Sequence, residues 1–301
     1  MGNLGRVAAI VNPAARGGKA FVRWRKVAVG LAEAGIEVHT ALTERTGHGL
    51  LLARDLAAGG YDTVLAVGGD GTVHEVVNGL FAANAAERTR LGIVPAGTGM
   101  DIARGLGLPR RPSLIVERIT RAREMAIDVG LSSTPKERYF VNFAETGLGA
   151  AVVAREAGLN ASWPGRLSFL VAAVGAALET GIGRARIYVD GSPAYAGPVV
   201  SVVVANGRFF GGGMRIAPQA SPADGLFDIL VLGDFTRTQL VGQIWKIYPG
   251  THVRHPKVLW RRGAEVRIEP ESPMHLDLDG ELSGAGSYHF SLLPRALRVI
   301  V

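Results

Sequence analysis

Two short stretches of this chain carry residue types suited to handling a phosphate and a proton. The first is Val67-Gly68-Gly69-Asp70-Gly71-Thr72-Val73-His74-Glu75, which follows an apolar β-branched run and opens a helical one. Between a strand and a helix, free backbone N–H groups converge and the helix dipole favours an anion, so this is the context of a phosphate cradle. A carboxylate at Asp70 would repel phosphates unless a cation stood between them, which points to Mg²⁺. Thr72 and Glu75 have the spacing of a capping box that would fix the helix start. The alternative is an ordinary Gly-Asp-Gly turn, which the strand and helix flanks disfavour. The loop is neither a Walker A motif nor a G-x-G-x-x-G dinucleotide fingerprint.

The second stretch is Leu278-Asp279-Gly280-Glu281-Leu282. Asp-Gly predicts a two-residue hairpin turn, after which Glu281 can project into a cleft. A carboxylate so placed can take the proton of an attacking hydroxyl. It can equally be the solvated tip of a hairpin, and the residues alone leave both readings open. His275, Asp277, Asp279 and Gly280 begin like an EF-hand loop, but its last ligand position would be Gly286, which excludes calcium. The histidines show no H-x-x-x-H or H-E-x-x-H pairing, which speaks against zinc. His74 is expected to face solvent or a nucleotide. Lys19 could reach a phosphate, although a lysine opening a helix is usually solvated, and Asp128 could join carboxylates around Mg²⁺.

The elements that must position these residues change character near Ile127. Before it, apolar runs Val7–Val11, Ile36–Leu42, Thr63–Val67 and Leu91–Val94 read as strands. Between them come helical stretches. Phe21, Trp24, Val27 and Leu31 form one amphipathic stripe, Leu50–Ala58 a second helix and Val73–Ala83 a third. Such alternation predicts a parallel sheet covered on both faces, with ligands at the strands' carboxyl ends. After Ile127, β runs at Arg186–Val189, Val199–Val204, Phe227–Val231, Glu265–Ile268 and Tyr288–Leu292 predict a mostly antiparallel sandwich or barrel. A single helix near Leu167–Glu179 interrupts them. The predicted domains are 1–126 and 127–301, with a cleft between them and the last strand free to return to the first domain.

Composition narrows the field. Charged residues make up 20% and hydrophobic ones 48% of the 301 residues, which excludes a wholly disordered chain. There is no cysteine, so disulfides, thiolate metal sites and a cysteine nucleophile are excluded. The start lacks a myristoylation motif, and Val7–Val11 is too short for a signal peptide. The longest uncharged apolar stretch, Leu167–Leu178, is too short to cross a bilayer. A cytoplasmic protein is expected, and the formal charge of +7 adds the expectation of an anionic partner.

An ordered set of motifs gives the most specific signal. Asn12-Pro13 follows the first strand and Thr43 ends the second. Gly68–Asn78 reads GGDGTVHEVVN, Pro95–Asp101 reads PAGTGMD, and Asn206–Pro218 reads NGRFFGGGMRIAP. Asp224-Gly225-Leu226 and Leu278-Asp279-Gly280-Glu281 complete it. In this order, over almost the whole chain, the set resembles the diacylglycerol kinase catalytic family, especially its bacterial lipid kinases. The resemblance implies a three-layer α/β nucleotide-binding domain followed by an antiparallel β-sandwich lipid domain. It implies ATP as phosphoryl donor, held by Asn12, Pro13, Ala14, Ala15, Arg16, Thr43, Gly69, Asp70, Gly71, Thr72, Val73, His74, Glu75 and Thr98. It implies Mg²⁺ at Ser221, Asp224 and Leu226, and Glu281 as general base. One departure stands out: the family's Gly-Thr-x-Asn-Asp is here Gly97-Thr98-Gly99-Met100-Asp101, which puts the geometry of that loop and the nucleotide preference in question.

The implied reaction is transfer of the γ-phosphate to a lipid hydroxyl, diacylglycerol first. Phosphatidylglycerol or a sphingoid base is the nearest alternative acceptor. An NAD kinase fits Asn206–Pro218 and Asp279–Glu281 less well, and a non-catalytic nucleotide- or nucleic-acid-binding module fits poorly with Asp70 and Glu281 both present. Gln243–Gly263 holds Lys246, Arg254, Lys257, Arg261 and Arg262 with Trp245, Tyr248 and Trp260, and no acidic residue. That mixture suits an anionic membrane interface, or else an exposed basic loop with its aromatics buried. A lipid partner at a membrane surface is expected and nucleic acid is not. A homodimer is left open.

Overall fold

The computed structural model describes residues 2–133, 137–157, 165–179 and 181–301. The chain divides into two compact units, Met1–Asp128 with Pro294–Val301, and Val129–Leu293. In the first unit the apolar runs become β1 (Val7–Val11), β2 (Val38–Leu42), β3 (Thr63–Gly68) and β4 (Arg90–Pro95). They are parallel and ordered β2-β1-β3-β4. Every residue of β1 and β3 is buried, as a sheet covered on both faces requires. On one face Trp24, Val27 and Leu31 of α1 (Lys19–Glu33) pack with Leu65, Val67 and Val94, joined by Ile115 and Ile119. The α1 stripe starts on Ala20 rather than on Phe21, which is exposed. Elsewhere in the unit, α2 (His48–Ala58) packs on α3 (Asp70–Ala82). The short α4 (Asp101–Gly105), α5 (Pro112–Arg121) and β5 (Glu124–Ser132) follow.

In the second unit β6 (Arg138–Phe140) and β7 (Phe143–Gly147) lead into α6 (Leu148–Ala157) and α7 (Gly165–Glu179). Then come β8 (Gly183–Val189), β9 (Ser192–Val199), β10 (Ser201–Ala205), β11 (Phe227–Leu232) and α8 (Arg237–Ile247). The chain closes with β12 (Val258–Gly263), β13 (Glu265–Pro270), β14 (Met274–Leu278), β15 (Glu281–Gly286) and β16 (Tyr288–Ile300). One antiparallel sheet runs β12-β11-β10-β7-β14-β15. A second layer pairs β9 with β8, β8 with β13, and β13 with the first part of β16. Alternate residues from both layers meet in one core, among them Val202, Val204, Ile229 and Leu278 against Ile187, Val266, Ile268 and Phe290. That is the period-two signature of a sandwich.

The opposite residues of the six-stranded sheet are apolar too. Val203, Ala205, Leu230 and Leu232 pack under Ala177 of α7 and Leu240 of α8. The single helix expected here is therefore corrected to α6, α7 and α8. In α8 only Leu240, Gln243 and Ile244 are buried, too sparse a stripe to stand out among its polar neighbours. Its start is set by a capping box between Thr236 and Gln239. Among the described residues no helix is long and apolar enough to cross a membrane.

The last residues of β16 belong to the first unit, where Val299 pairs in parallel with Leu91 of β4. Val301 donates its N–H to the Arg123 carbonyl at 2.8 Å.

Candidate active site

The first unit places the candidate nucleotide-binding loops at the carboxyl ends of β1, β2, β3 and β4. After β1, the Asn12 N–H donates to Val67 O at 3.0 Å, and its Oδ1 accepts from Ala14 N at 3.1 Å. Arg16, Gly17 and Gly18 then take positive φ of 54°, 61° and 86°. Thr43, after β2, donates its N–H to Val11 O at 2.9 Å. The loops after β3 and β4 are locked together. Gly68 O accepts from Ala96 N at 2.8 Å and Gly97 N at 2.9 Å, and Gly69 and Gly97 meet backbone to backbone.

Asp70 completes that lock. Its carboxylate accepts the N–H groups of Asp101 and Ile102, both at 3.0 Å. An ionised carboxylate thus caps the first turn of α4, a favourable use of a negative charge at a helix start. Met100, just before α4, has a φ of 57° and a buried side chain. Asn tolerates this left-handed region better than Met does, and the Met100 sulfur lies 3.9 Å from Arg110 Nη2.

The capping box expected between Thr72 and Glu75 is not formed. The helix begins at Asp70, three residues earlier than Val73, with no side-chain cap. Thr72 is buried and its Oγ1 lies 3.5 Å from Asn12 Nδ2. Glu75 instead accepts from Gly47 N at 2.7 Å and Gly49 N at 2.8 Å, at the start of α2. His74 is buried rather than facing solvent, with Asn78 Nδ2 donating to its carbonyl at 2.9 Å. Val73 is also core, whereas Thr98 and Lys19 are exposed. Asp128 is buried and accepts from Arg295 N at 2.8 Å.

One residue escaped sequence reasoning. Arg23 donates from Nη1 to Pro95 O at 2.6 Å, and its pKa is lowered by burial and then by Arg16. Two guanidiniums thus act on each other beside the loop that follows β4, as an anion-binding corner would need. No spacing rule marks Arg23, because it lies among the polar positions of α1.

In the second unit, Asp279 and Gly280 form the tip between β14 and β15, with φ of 53° and 94°. The Asp279 carboxylate is buried and accepts three N–H groups, from Val141 (2.8 Å), Asn142 (2.9 Å) and Phe143 (3.0 Å). Asp277 accepts from Gly280 N at 2.7 Å. Glu281, half-buried, is therefore presented by a tip held from two sides. Asn206 is buried and donates from Nδ2 to Val141 O at 2.7 Å, so the NGRFFGGG stretch starts on the same segment.

Ser221, Asp224 and Leu226 lie on the turn before β11. Asp224 forms an ion pair with Arg262, and Asp228 accepts from Trp260 Nε1 at 2.7 Å. Asp228 Oδ2 is buried without a hydrogen bond among the described residues, 3.6 Å from Arg262 Nε. Burial raises the Asp228 pKa, against Trp260 and Arg262. The basic segment thus divides: Trp260, Arg262 and Lys257, which donates to Asp234 O at 2.9 Å, serve the fold. Trp245, Lys246 and Arg254 are exposed. Among the described residues no group of three His, Cys, Asp or Glu side chains could hold a metal.

Comparison with known proteins gives this geometry a family. Residues 6–132 match the diacylglycerol kinase catalytic domain, and residues 143–301 match the YegS C-terminal NAD kinase beta sandwich-like domain. The chain belongs to the diacylglycerol kinase catalytic family. It is 34% identical over 280 residues to "Probable lipid kinase YegS-like" of Chromohalobacter salexigens, covering 88% of this chain and 84% of that one. It is 28% identical over 287 residues to the diacylglycerol kinase of Bacillus subtilis, covering 89% and 87%. A crystal structure of a diacylglycerol kinase from Bacillus anthracis superposes with a TM-score of 0.78, covering 100% of this chain and 98% of the other. At 24% identity that likeness shows the fold alone. Membership makes this chain a member of a lipid kinase family and agrees with the α/β-plus-sandwich architecture.

Proposed function

We propose that the chain is an ATP-dependent kinase that phosphorylates a lipid hydroxyl, with diacylglycerol as the first acceptor to test. The observation that carries this reading is Glu281 on a tip pinned by the Asp279 carboxylate, in a chain whose other unit holds two interlocked glycine loops. The acceptor oxygen attacks the γ-phosphorus, the bond to the β–γ bridging oxygen breaks, and ADP leaves. Glu281 takes the hydroxyl proton as the new O–P bond forms. Backbone N–H groups of the loops at Asn12–Arg16 and Gly69–Gly71, with Thr43 and Thr98 beside them, would hold the phosphates, and Arg16 and Arg23 would offset their charge.

Mg²⁺ would supply further charge compensation for the transferred group. Ser221, Asp224 and Leu226 offer a hydroxyl, a carboxylate and carbonyls on one turn, an all-oxygen set that fits a hard cation. Arg262 on Asp224 is the competing partner. The lipid itself resides in a membrane, and the exposed Trp245, Lys246 and Arg254 on α8 and the turn after it suit an anionic surface.

The test is Glu281→Gln, which keeps size and loses basicity. Nucleotide affinity by calorimetry should change little, while lipid phosphorylation falls by roughly 10²–10⁴-fold, the scale of general base catalysis. Both intact would return Glu281 to a solvated hairpin tip. Both lost would place it in the nucleotide site.

A further inference from the structure

Two buried carboxylates of the second unit take no part in the transfer just described. Glu145 on β7 and Asp277 on β14 are directly opposite in the antiparallel register, so their side chains leave the same face of the sheet as neighbours. Both are almost wholly buried. Glu145 accepts from Ser201 Oγ at 2.5 Å, Gly149 N at 2.8 Å and Ala150 N at 2.7 Å, which ties it to β10 and the start of α6. Asp277 accepts from Gly280 N at 2.7 Å, across the turn that precedes Glu281.

We propose that Asp277 is a positioning residue for Glu281, holding the turn through Gly280, and that it works as half of a proton-sharing pair with Glu145. The proposal rests on the reading of Glu281 as the base. Burial pushes the Glu145 pKa up to about 7, against Ser201, Gly149 and Ala150. Burial, then Glu145, and further Asp279 and Glu281 raise Asp277, against the Gly280 N–H. From β16, Tyr288 also feels the charge of Glu145. Among the described residues no lysine, arginine or histidine acts on either carboxylate. A buried carboxylate pair of this kind keeps one proton, because both cannot readily ionise at close range. With that proton in place only one charge lies beneath the turn, and an Asp277 oxygen still accepts from Gly280 N. When it leaves, two like charges lie beneath the turn that presents Glu281.

Three variants test this. Asp277→Leu removes the acceptor, Asp277→Asn keeps a carbonyl acceptor, and Glu145→Gln removes the shared proton. Hydrogen exchange of the Gly280 amide should quicken by about tenfold in Asp277→Leu, and turnover should fall by a similar factor, the scale of one buried hydrogen bond. The KM for ATP should stay put, and Asp277→Asn should restore both. Wild-type turnover should decline on the alkaline side as the pair loses its proton, and this limb should be absent in Glu145→Gln. Unchanged exchange in Asp277→Leu overturns the grip on the turn. Faster exchange with full turnover overturns the positioning role. An alkaline limb identical in Glu145→Gln and wild type, or missing from both, overturns the shared proton. Glu281→Gln run in parallel separates the two readings: if it keeps full turnover, the base assignment falls, while Gly280 exchange still decides whether Asp277 holds the turn.

Discussion

A methyl group on Gly97 would sit 2.3 Å from the Cα of Gly69. The loops after β3 and β4 therefore approach as closely as two backbones can, and no side chain fits between them. Gly97→Ala should force them apart, at a cost of about 1–3 kcal/mol for overpacking. ATP affinity should fall with stability. Calorimetric titration that gives the wild-type affinity would show that the cradle does not depend on this contact.

Asp70 binds the same two loops through Asp101 and Ile102. Asp70→Asn leaves one acceptor and turns an NH₂ towards a backbone N–H, so it should destabilise by about 1–3 kcal/mol. Turnover should fall along with the melting temperature. Lost turnover at an unchanged melting temperature would instead point to a purely cation-linked role.

Glu145 gives a pH dependence of known sign. Its pKa is raised from 4.5 to about 7 in the folded state, so its contribution to stability is fully present below 4.5 and is lost as pH rises through 7. Glu145→Gln removes this titration. Relative to wild type, the variant should gain on the order of 1–3 kcal/mol between roughly pH 5 and roughly pH 8. Urea melts at the two pH values measure it, and parallel shifts in both proteins would contradict it.

The exposed α8 face has its own test. Replacing Trp245, Lys246 and Arg254 with Ala, Gln and Gln should weaken binding to anionic vesicles, each cation contributing about 1 kcal/mol. Added salt should mimic the charge losses, and activity on a water-soluble short-chain acceptor should persist. Equal losses on both acceptors would assign these residues to folding.

The glycine loops could be found in the sequence because glycine and aspartate between a strand and a helix restrict the backbone to few conformations. Glu75 shows where such local reading stops. Its spacing to Thr72 suits a cap, yet its partners are Gly47 and Gly49, which only the packing of α2 on α3 brings near. Glu145 and Asp277 were opaque for a similar reason: each is a lone acid in a β run, and only the strand register places them together. The tip at Asp279-Gly280 was legible, while the three amides that hold it come from a segment more than a hundred residues earlier.

The return of Pro294–Val301 to the first unit has a consequence for biosynthesis. The edge of β4 that receives Val299 is made early, but its partner emerges only after the entire second unit has been translated. At ribosomal speeds that interval is on the order of ten seconds. Throughout it, β4 offers an unpaired edge to any neighbouring nascent chain. Premature termination just before Pro294 should thus leave a product with its sandwich encoded in full and its nucleotide unit prone to aggregate.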